Sequence, residues 1–186
     1  MKRICVFCGS NSGNSAGYQV AAADLGRQLA ERRIALVYGG SNVGLMGAVA
    51  DSVLQAGGHA IGVIPRSLVD REVTHRGLPD LRVVETMHER KALMADLADG
   101  FVAMPGGYGT FDELCEILTW ATRNPFEAGG IVEYAGVLGP IPAISRSRRR
   151  RGFLKPAHRQ LIEVRPTANE LLELLPTVKP LTAASK

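Results

Sequence analysis

The sequence predicts an α/β fold, a Rossmann-like three-layer sandwich with a central parallel sheet. Short apolar segments with strand character alternate with segments whose apolar residues recur at helical spacing, which indicates βαβ units. Glycine-rich loops follow several of these strands, and such folds bind ligands at the carboxyl ends of their strands. With 186 residues, the chain suits a single domain spanning residues 1–186.

The expected elements can be placed in chain order. The strands are expected at Ile4–Cys8, Ile34–Tyr38, His59–Ile64, Leu81–Val84 and Gly100–Met104. The helices are expected at Tyr18–Glu31, Leu45–Gln55, Met87–Leu97 and Thr110–Thr122. The pair Gly57-Gly58 stops the second helix. The polar stretch Arg66–Pro79 has no clear period, which predicts a loop over one end of the sheet.

Composition narrows the class of protein. The net charge of +4 depends on Arg146 and the run Arg148–Arg151, and without them the chain is near neutral, which argues against a general nucleic-acid surface. No apolar stretch is long enough to span a membrane. The basic start and apolar Ile4–Cys8 mimic a signal peptide, but Gly9–Gly13 interrupts the run after five residues. These features, with three cysteines, predict a cytoplasmic protein.

Cys5-Val6-Phe7-Cys8 has the C-x-x-C spacing of redox and zinc motifs. A redox motif opens a helix, however, and a zinc site needs a second pair of ligands. Here the pair lies inside an apolar strand, where residues i and i+3 face opposite sides. We therefore expect two buried structural cysteines. The histidines are scattered and no H-E-x-x-H is present, so nothing in the sequence calls for a metal.

The loop Gly39-Gly40-Ser41-x-x-Gly44 stands between a strand and a helix, the context in which backbone N–H groups and a helix N-terminus bind anions. It is not the dinucleotide-binding G-x-G-x-x-G. It also lacks the Lys-Ser/Thr of a P-loop, which disfavours an ATPase. Two tight turns in a parallel sheet would explain the same glycines, and both interpretations stay open.

Pro105-Gly106-Gly107-Tyr108-Gly109-Thr110-x-x-Glu113 is a more specific pattern. Three glycines free the backbone, and Thr110 is expected to supply an N-cap hydroxyl that could also bond a phosphate oxygen. Glu113 follows one turn later, turned toward the same pocket. The alternative is a capping-box glutamate, since Thr110-x-x-Glu113 matches that pattern. A carboxylate tied to its own helix start is less free to reach a substrate.

Together with Met87-His88-Glu89-Arg90-Lys91, the loop Gly39–Gly47 and Cys8-Gly9-Ser10, this pattern resembles the LOG (Lonely Guy) family over about residues 3–121. Its members are cytokinin riboside 5′-monophosphate phosphoribohydrolases, often mislabelled as lysine decarboxylases. The resemblance implies a homodimeric or larger Rossmann-like enzyme. It would hydrolyse purine riboside monophosphates, AMP or an N6-modified AMP, to free base and ribose 5-phosphate without a cofactor.

By motif position, the resemblance implies that Arg90 and Glu113 are catalytic. The substrate-binding residues that it implies are Ser10, Gly39, Gly40, Met87, Arg90, Lys91, Gly106, Gly107, Gly109 and Thr110. Breaking an N-glycosidic bond builds positive charge on the ribose, which a nearby carboxylate stabilises, and the same carboxylate can align the attacking water. Arg90 can orient Glu113 or bind phosphate.

Other interpretations of these charged residues remain. Arg90 could instead form a surface salt bridge with Glu89 or Asp96. A non-catalytic nucleotide-binding or carrier protein on the same fold would need the phosphate loop but not both charged groups.

The resemblance stops after Trp120-Ala121 and returns at Gly152–Arg159. We hypothesise a compensated frameshift across about residues 122–151, in the gene or in its sequencing. A nucleic-acid-binding arginine run is the competing interpretation.

If the segment is genuine, a core strand and much of a helix are lost, one sheet edge is weakly specified and the family's dimer surface becomes doubtful. The arginines are expected to be solvent-exposed, because adjacent like charges repel and cannot be buried without partners.

Overall fold

The computed structural model describes residues 1–69, 74–123, 129–134, 147, 149–155, 158 and 161–177. The strands are β1 Arg3–Phe7, β2 Ala35–Tyr38, β3 Ala60–Pro65, β4 Asp80–Val84, β5 Gly100–Ala103, β6 Gly129–Tyr134 and β7 Ile162–Arg165. The helices are α1 Ala16–Glu31, α2 Gly44–Gln55, α3 Arg66–Val69, α4 Met87–Leu97, α5 Tyr108–Arg123 and α6 Ala168–Leu174, followed by a 3₁₀ turn at Leu175–Thr177. Within these ranges, no helix combines the length and the apolar character needed to cross a membrane.

The strands form one sheet in the order β4-β3-β2-β1-β5-β6-β7, and every neighbouring pair is parallel. The predicted α/β fold with a central parallel sheet is therefore confirmed. The strand order runs outward from β1 to β4 on one side and from β5 to β7 on the other. The point between β1 and β5, where this order reverses, is where open α/β sheets place their ligands.

Apolar side chains cover both faces of the sheet. One buried cluster joins the strands to α1, α2 and α6, and a second joins them to α4 and α5. Cys5 belongs to the second cluster and Cys8 to the first, so the two buried thiols lie on opposite faces as the alternation of a strand predicts. Helices α1 and α2 touch at Gly26, where an added Cβ would overlap the Val49 carbonyl oxygen.

Two parts of the chain differ from the sequence expectation. The stretch Arg66–Pro79 is not wholly a loop, because it begins with the helical turn α3 and Thr74 pairs with Ser41 in an isolated antiparallel bridge. Thr74 and His75 are buried, and the His75 amide donates to the Gly40 carbonyl at 3.0 Å. One helical turn is too short to show a hydrophobic period, which is why the pattern did not reveal it.

The segment 122–151 supplies strand β6, which lies between β5 and β7 instead of leaving an unspecified edge. Its pairing with β5 is irregular, since Gly100 pairs with Gly129 and Phe101 with Ile131. The frameshift stays a prediction, which reading the gene in all three frames tests. The side chains of Arg149, Arg150 and Arg151 are exposed, as expected, whereas Arg146 and Arg148 lie outside the described residues.

Candidate active site

A cavity of about 800 Å³ opens at the carboxyl edge of the sheet, where the loops after β1, β2 and β5 meet. It therefore lies at the point where the strand order reverses. The predicted site residues that line it are Ser10, Gly39, Met87, Arg90, Gly106, Gly107, Gly109, Thr110 and Glu113.

Backbone contacts tie the three loops together. The Gly9 amide donates to the Pro105 carbonyl at 2.8 Å, and the Leu45 amide donates to the Gly9 carbonyl at 3.0 Å. Gly44 has a φ of +60°, and a Cβ there would overlap the backbone of Ser10. A Cβ on Gly106 would likewise overlap the Thr110 hydroxyl. These two glycines are therefore required for the loops to close around the cavity.

Arg90 on α4 is 7% exposed and lines the cavity. Its Nε donates to the Val63 carbonyl on β3 at 3.0 Å, and its Nη1 donates to Oε1 of Glu113 at 2.7 Å. No described residue accepts a hydrogen bond from Nη2. A Cβ on Gly39 would overlap Nη2, so this glycine leaves the space that the guanidinium occupies.

The surface salt bridge considered for Arg90 is absent from the described residues. Glu89 instead helps to begin α4: Thr86 Oγ1 accepts from the Glu89 amide at 3.1 Å, and Glu89 Oε2 accepts from the Glu85 amide at 2.9 Å. The guanidinium of Arg90 is buried against Glu113, away from solvent.

Glu113 on α5 is 8% exposed, and its Oε2 accepts no hydrogen bond from any described residue. Burial raises the pKa of its carboxyl above the usual value, and the Arg90 guanidinium offsets part of that rise. The capping-box interpretation is wrong. Helix α5 begins at Tyr108, so Thr110 lies inside the first turn and is not the N-cap, and Glu113 binds Arg90 instead of its own helix start.

Two predicted substrate-binding residues do not line the cavity. Gly40 has a φ of +74° and packs against Ile64 and Leu81, so it serves a tight turn. Lys91 points to α5, where its Nζ lies 3.0 Å from Asp112 Oδ2 and 2.9 Å from Glu116 Oε2. The first glycine loop thus combines both interpretations, because Gly39 faces the cavity and Gly40 makes a turn.

Sequence reasoning missed part of the lining. The unpredicted polar residues are Asn11, Ser12, Tyr18, Ser41 and Tyr108, and the apolar ones are Val43, Leu45, Met46, Ile64 and Leu68. Tyr108 is 94% exposed at the start of α5. Most of these residues sit just after a predicted strand, and that position was the available signal.

Cys8 also lines the cavity, but burial raises the pKa of its thiol well above the usual value. A protonated buried thiol is a poor nucleophile. No group of three or more His, Cys, Asp or Glu side chains suited to a metal ion occurs in the described part of the chain. Arg90 and Glu113 are therefore the ionisable residues that we consider for chemistry in the cavity.

Fold and cavity together define a class: a Rossmann-like protein with glycine loops, a helix N-terminus and a buried arginine–carboxylate pair at the switch point. The family model described as "Possible lysine decarboxylase" matches residues 46–175. The chain is 45% identical over 183 residues to cytokinin riboside 5′-monophosphate phosphoribohydrolase LOG7 of Arabidopsis thaliana, covering 96% of this chain and 83% of that protein. It is 47% identical over 172 residues to LOG of Oryza sativa subsp. japonica, covering 92% and 71%. The chain belongs to this LOG family.

Solved structures of more distant proteins share the fold. The molybdenum cofactor carrier protein of Chlamydomonas reinhardtii superposes with a TM-score of 0.73 at 20% identity, covering 95% of this chain and 97% of that one. The molybdenum cofactor binding protein of Rippkaea orientalis gives a TM-score of 0.71 at 17% identity, covering 96% and 98%. At this level of identity the likeness concerns the fold alone.

The contact between Gly39 and Arg90 yields a test of the buried pair. A Gly39→Ala substitution would push the guanidinium away from Glu113 and leave a buried carboxylate poorly paired, so the free energy of unfolding should fall by about 2–4 kcal/mol. Gly109→Ala is the matched control, because nothing lies within 4 Å of its added Cβ. It should change stability by no more than about 1 kcal/mol. Equal stability of the two variants in urea denaturation would contradict this account of Gly39.

Proposed function

We propose that this protein hydrolyses the N-glycosidic bond of purine or cytokinin riboside 5′-monophosphates, releasing free base and ribose 5-phosphate. One observation carries the proposal: a buried carboxylate, held 2.7 Å from a guanidinium, lines a cavity of about 800 Å³ beside the glycine loop that opens α5. The enzymatic relatives at 45% and 47% identity bear names that describe the same reaction.

The phosphate is assigned to the loop that opens α5. The Phe111 amide already bonds the Gly107 carbonyl at 3.2 Å, so the amides before it in the first turn are the ones left for a ligand. They point outward at the positive end of the helix dipole, next to the Thr110 hydroxyl, and nothing lies within 4 Å of where a Cβ on Gly107 or Gly109 would stand. An oxyanion can therefore approach the backbone closely at this point.

The reaction is assigned to Glu113. As the bond between C1′ and the base nitrogen breaks, its electron pair leaves with the base and positive charge develops on the ribose. The Glu113 carboxylate stabilises that charge through Oε2 and accepts a proton from the water that attacks C1′. The departing base nitrogen takes up a proton from solvent, and the Glu113 carboxyl returns its own proton to solvent. Arg90 holds the carboxylate by Oε1 and favours its ionised form, while Nη2 remains available to a ligand oxygen.

The purine is assigned to the apolar part of the cavity lining, which includes Val43, Met46, Leu68 and Met87. Flat aromatic bases bind well against such side chains, and polar groups are needed only to fix orientation. We also infer a homodimer located in the cytoplasm. Sedimentation of the purified protein and fractionation of its source cells test these two points.

The alternative is a non-catalytic nucleotide-binding or carrier protein. A binder needs the anion-binding loop but gains little from a desolvated ion pair, since burying two charges costs about as much as their attraction returns. The buried Arg90–Glu113 pair therefore favours the enzyme.

The proposal requires the phosphate as well as the base. We expect the protein to release adenine from AMP, and to act on adenosine with kcat/KM lower by about a hundredfold or more, because the contacts at the start of α5 are lost. Chromatography of free adenine measures both reactions. Comparable turnover of adenosine and AMP would count decisively against the proposal.

A Glu113→Gln substitution separates the enzyme from the binder. It keeps size and an acceptor for Arg90 but removes the negative charge, so kcat should fall by about a hundredfold or more, or about 2.7 kcal/mol. AMP affinity by calorimetry should stay the same or rise. Glu31→Gln on α1 is the control, since that carboxylate is exposed and pairs with Arg27 outside the cavity. Retained turnover in folded Glu113→Gln protein would remove Glu113 from the mechanism.

A further inference from the structure

A second ion-pair cluster joins α4 to α5 immediately beside the Arg90–Glu113 pair. Nζ of Lys91 lies 3.0 Å from Asp112 Oδ2 and 2.9 Å from Glu116 Oε2. The Lys91 side chain is only 11% exposed, whereas that of Asp112 is 64% exposed and that of Glu116 is 24% exposed. We call these three residues the Lys91 clamp.

The clamp is adjacent to the pair on both helices. Lys91 follows Arg90 on α4, and Asp112 precedes Glu113 on α5. Neighbours on a helix diverge by about 100°, so Lys91 and Asp112 are directed away from the cavity that the pair lines, and Glu116 does not line it either. Lys91 therefore does not line the cavity, and any effect that it has on chemistry there would pass through the pair.

The lysine in the clamp is held charged. Burial alone would lower the pKa of Lys91, but hydrogen bonds and attraction from Glu116 and Asp112 raise it overall. The Lys91 side chain is mostly covered and its ammonium contacts two carboxylates at once, so displacing it would lose both contacts between the helices. The contact consequently fixes the two helices in a narrow range of separations.

We propose that Lys91 is a positioning residue: through Asp112 and Glu116 it sets the spacing and the charge environment of the Arg90–Glu113 pair. This inference rests on the proposed hydrolase function. It replaces the substrate-binding role that the family motif implies for Lys91, because the side chain does not line the cavity.

The charges around Glu113 determine in which direction each substitution should shift the pKa of its carboxyl. Besides burial, which raises the pKa of Glu113, Arg90 and Lys91 on α4 lower it and Asp112 on α5 raises it. On β1 and directly after it, burial raises the pKa of the Cys5 and Cys8 thiols, so they stay neutral near pH 7. From β3, the Val63 carbonyl contacts Arg90 and carries no charge. The clamp is therefore the charged group beside the pair that can be altered without touching the pair.

Two substitutions in the clamp should move the same carboxyl in opposite directions. Lys91→Met removes a cation and leaves two carboxylates, so the pKa of Glu113 should rise. Asp112→Asn removes an anion but keeps an acceptor for Lys91, so that pKa should fall. Lys91→Arg keeps the charge and should return the pKa toward the wild-type value even where its length alters the spacing. A purely structural contact would produce none of these signed shifts.

The test is a ¹³C NMR titration of the Glu113 carboxyl, assigned with Glu113→Gln, combined with AMP hydrolysis against pH. Because the carboxylate form is the active one, the acid limb of kcat should move to higher pH in Lys91→Met and to lower pH in Asp112→Asn. In Lys91→Met, kcat at neutral pH should fall about tenfold or more, with KM changed less than about threefold, as expected for a misplaced catalytic group.

Arg27→Met is the matched control. Arg27 also bridges two carboxylates, Asp24 and Glu31, at 2.6 Å each, but on the exposed face of α1. It should leave the Glu113 titration and kcat unchanged.

If Lys91→Met does not fold, the downward shift in Asp112→Asn decides the question alone. An unmoved Glu113 pKa in the clamp variants overturns the inference, whereas a wild-type protein that releases no base from AMP overturns the proposed function instead.

Discussion

The structure depends on a carboxylate and a guanidinium that are buried together at the carboxyl edge of a parallel sheet. Desolvating both charges is unfavourable unless their geometry and remaining hydrogen bonds are satisfied. Arg90 meets this condition in part, with one bond to Glu113 at 2.7 Å and one to the Val63 carbonyl at 3.0 Å, while its Nη2 and the Glu113 Oε2 bond no described residue. Three elements, β3, α4 and α5, must therefore keep a fixed mutual position. Gly39 contributes by lacking the side chain that would displace the guanidinium.

Burial of the pair has an unfavourable desolvation free energy, but the same burial favours catalysis. In a site of low dielectric, a fixed carboxylate interacts strongly with positive charge that develops on a sugar, and little reorganisation is needed as the bond breaks. The raised pKa of Glu113 follows from the same desolvation, and Arg90 limits the rise so that the ionised form remains accessible. The glycine loops around the pair leave backbone amides for the proposed phosphate, and their mutual hydrogen bonds hold the loops together around the cavity.

Local patterns in the sequence were enough to predict the central parallel sheet and to single out Arg90 and Glu113 as site residues. The first five strands each carry a short apolar run, all but the third are followed by a predicted helix, and the Pro105–Glu113 pattern is specific enough to locate Glu113. Strands β6 and β7 were not predicted, since the first lies in a segment rich in glycine and proline. The start of α5 was misplaced by two residues because Tyr108-Gly109 does not look like a helix start. The role of Lys91 depends on a contact between two helices that no local spacing encodes.

Arg90 and Glu113 are expected to act as one unit, and a double-mutant cycle measures whether they do. Arg90→Met leaves Glu113 without its cation, so the buried carboxyl takes up a proton and loses the charge that Glu113→Gln also removes. Measured as kcat/KM for AMP, the double variant should therefore be no worse than the more damaged single variant, within about threefold. If the two losses multiply instead, the residues act independently and the account of a single buried catalytic pair is wrong.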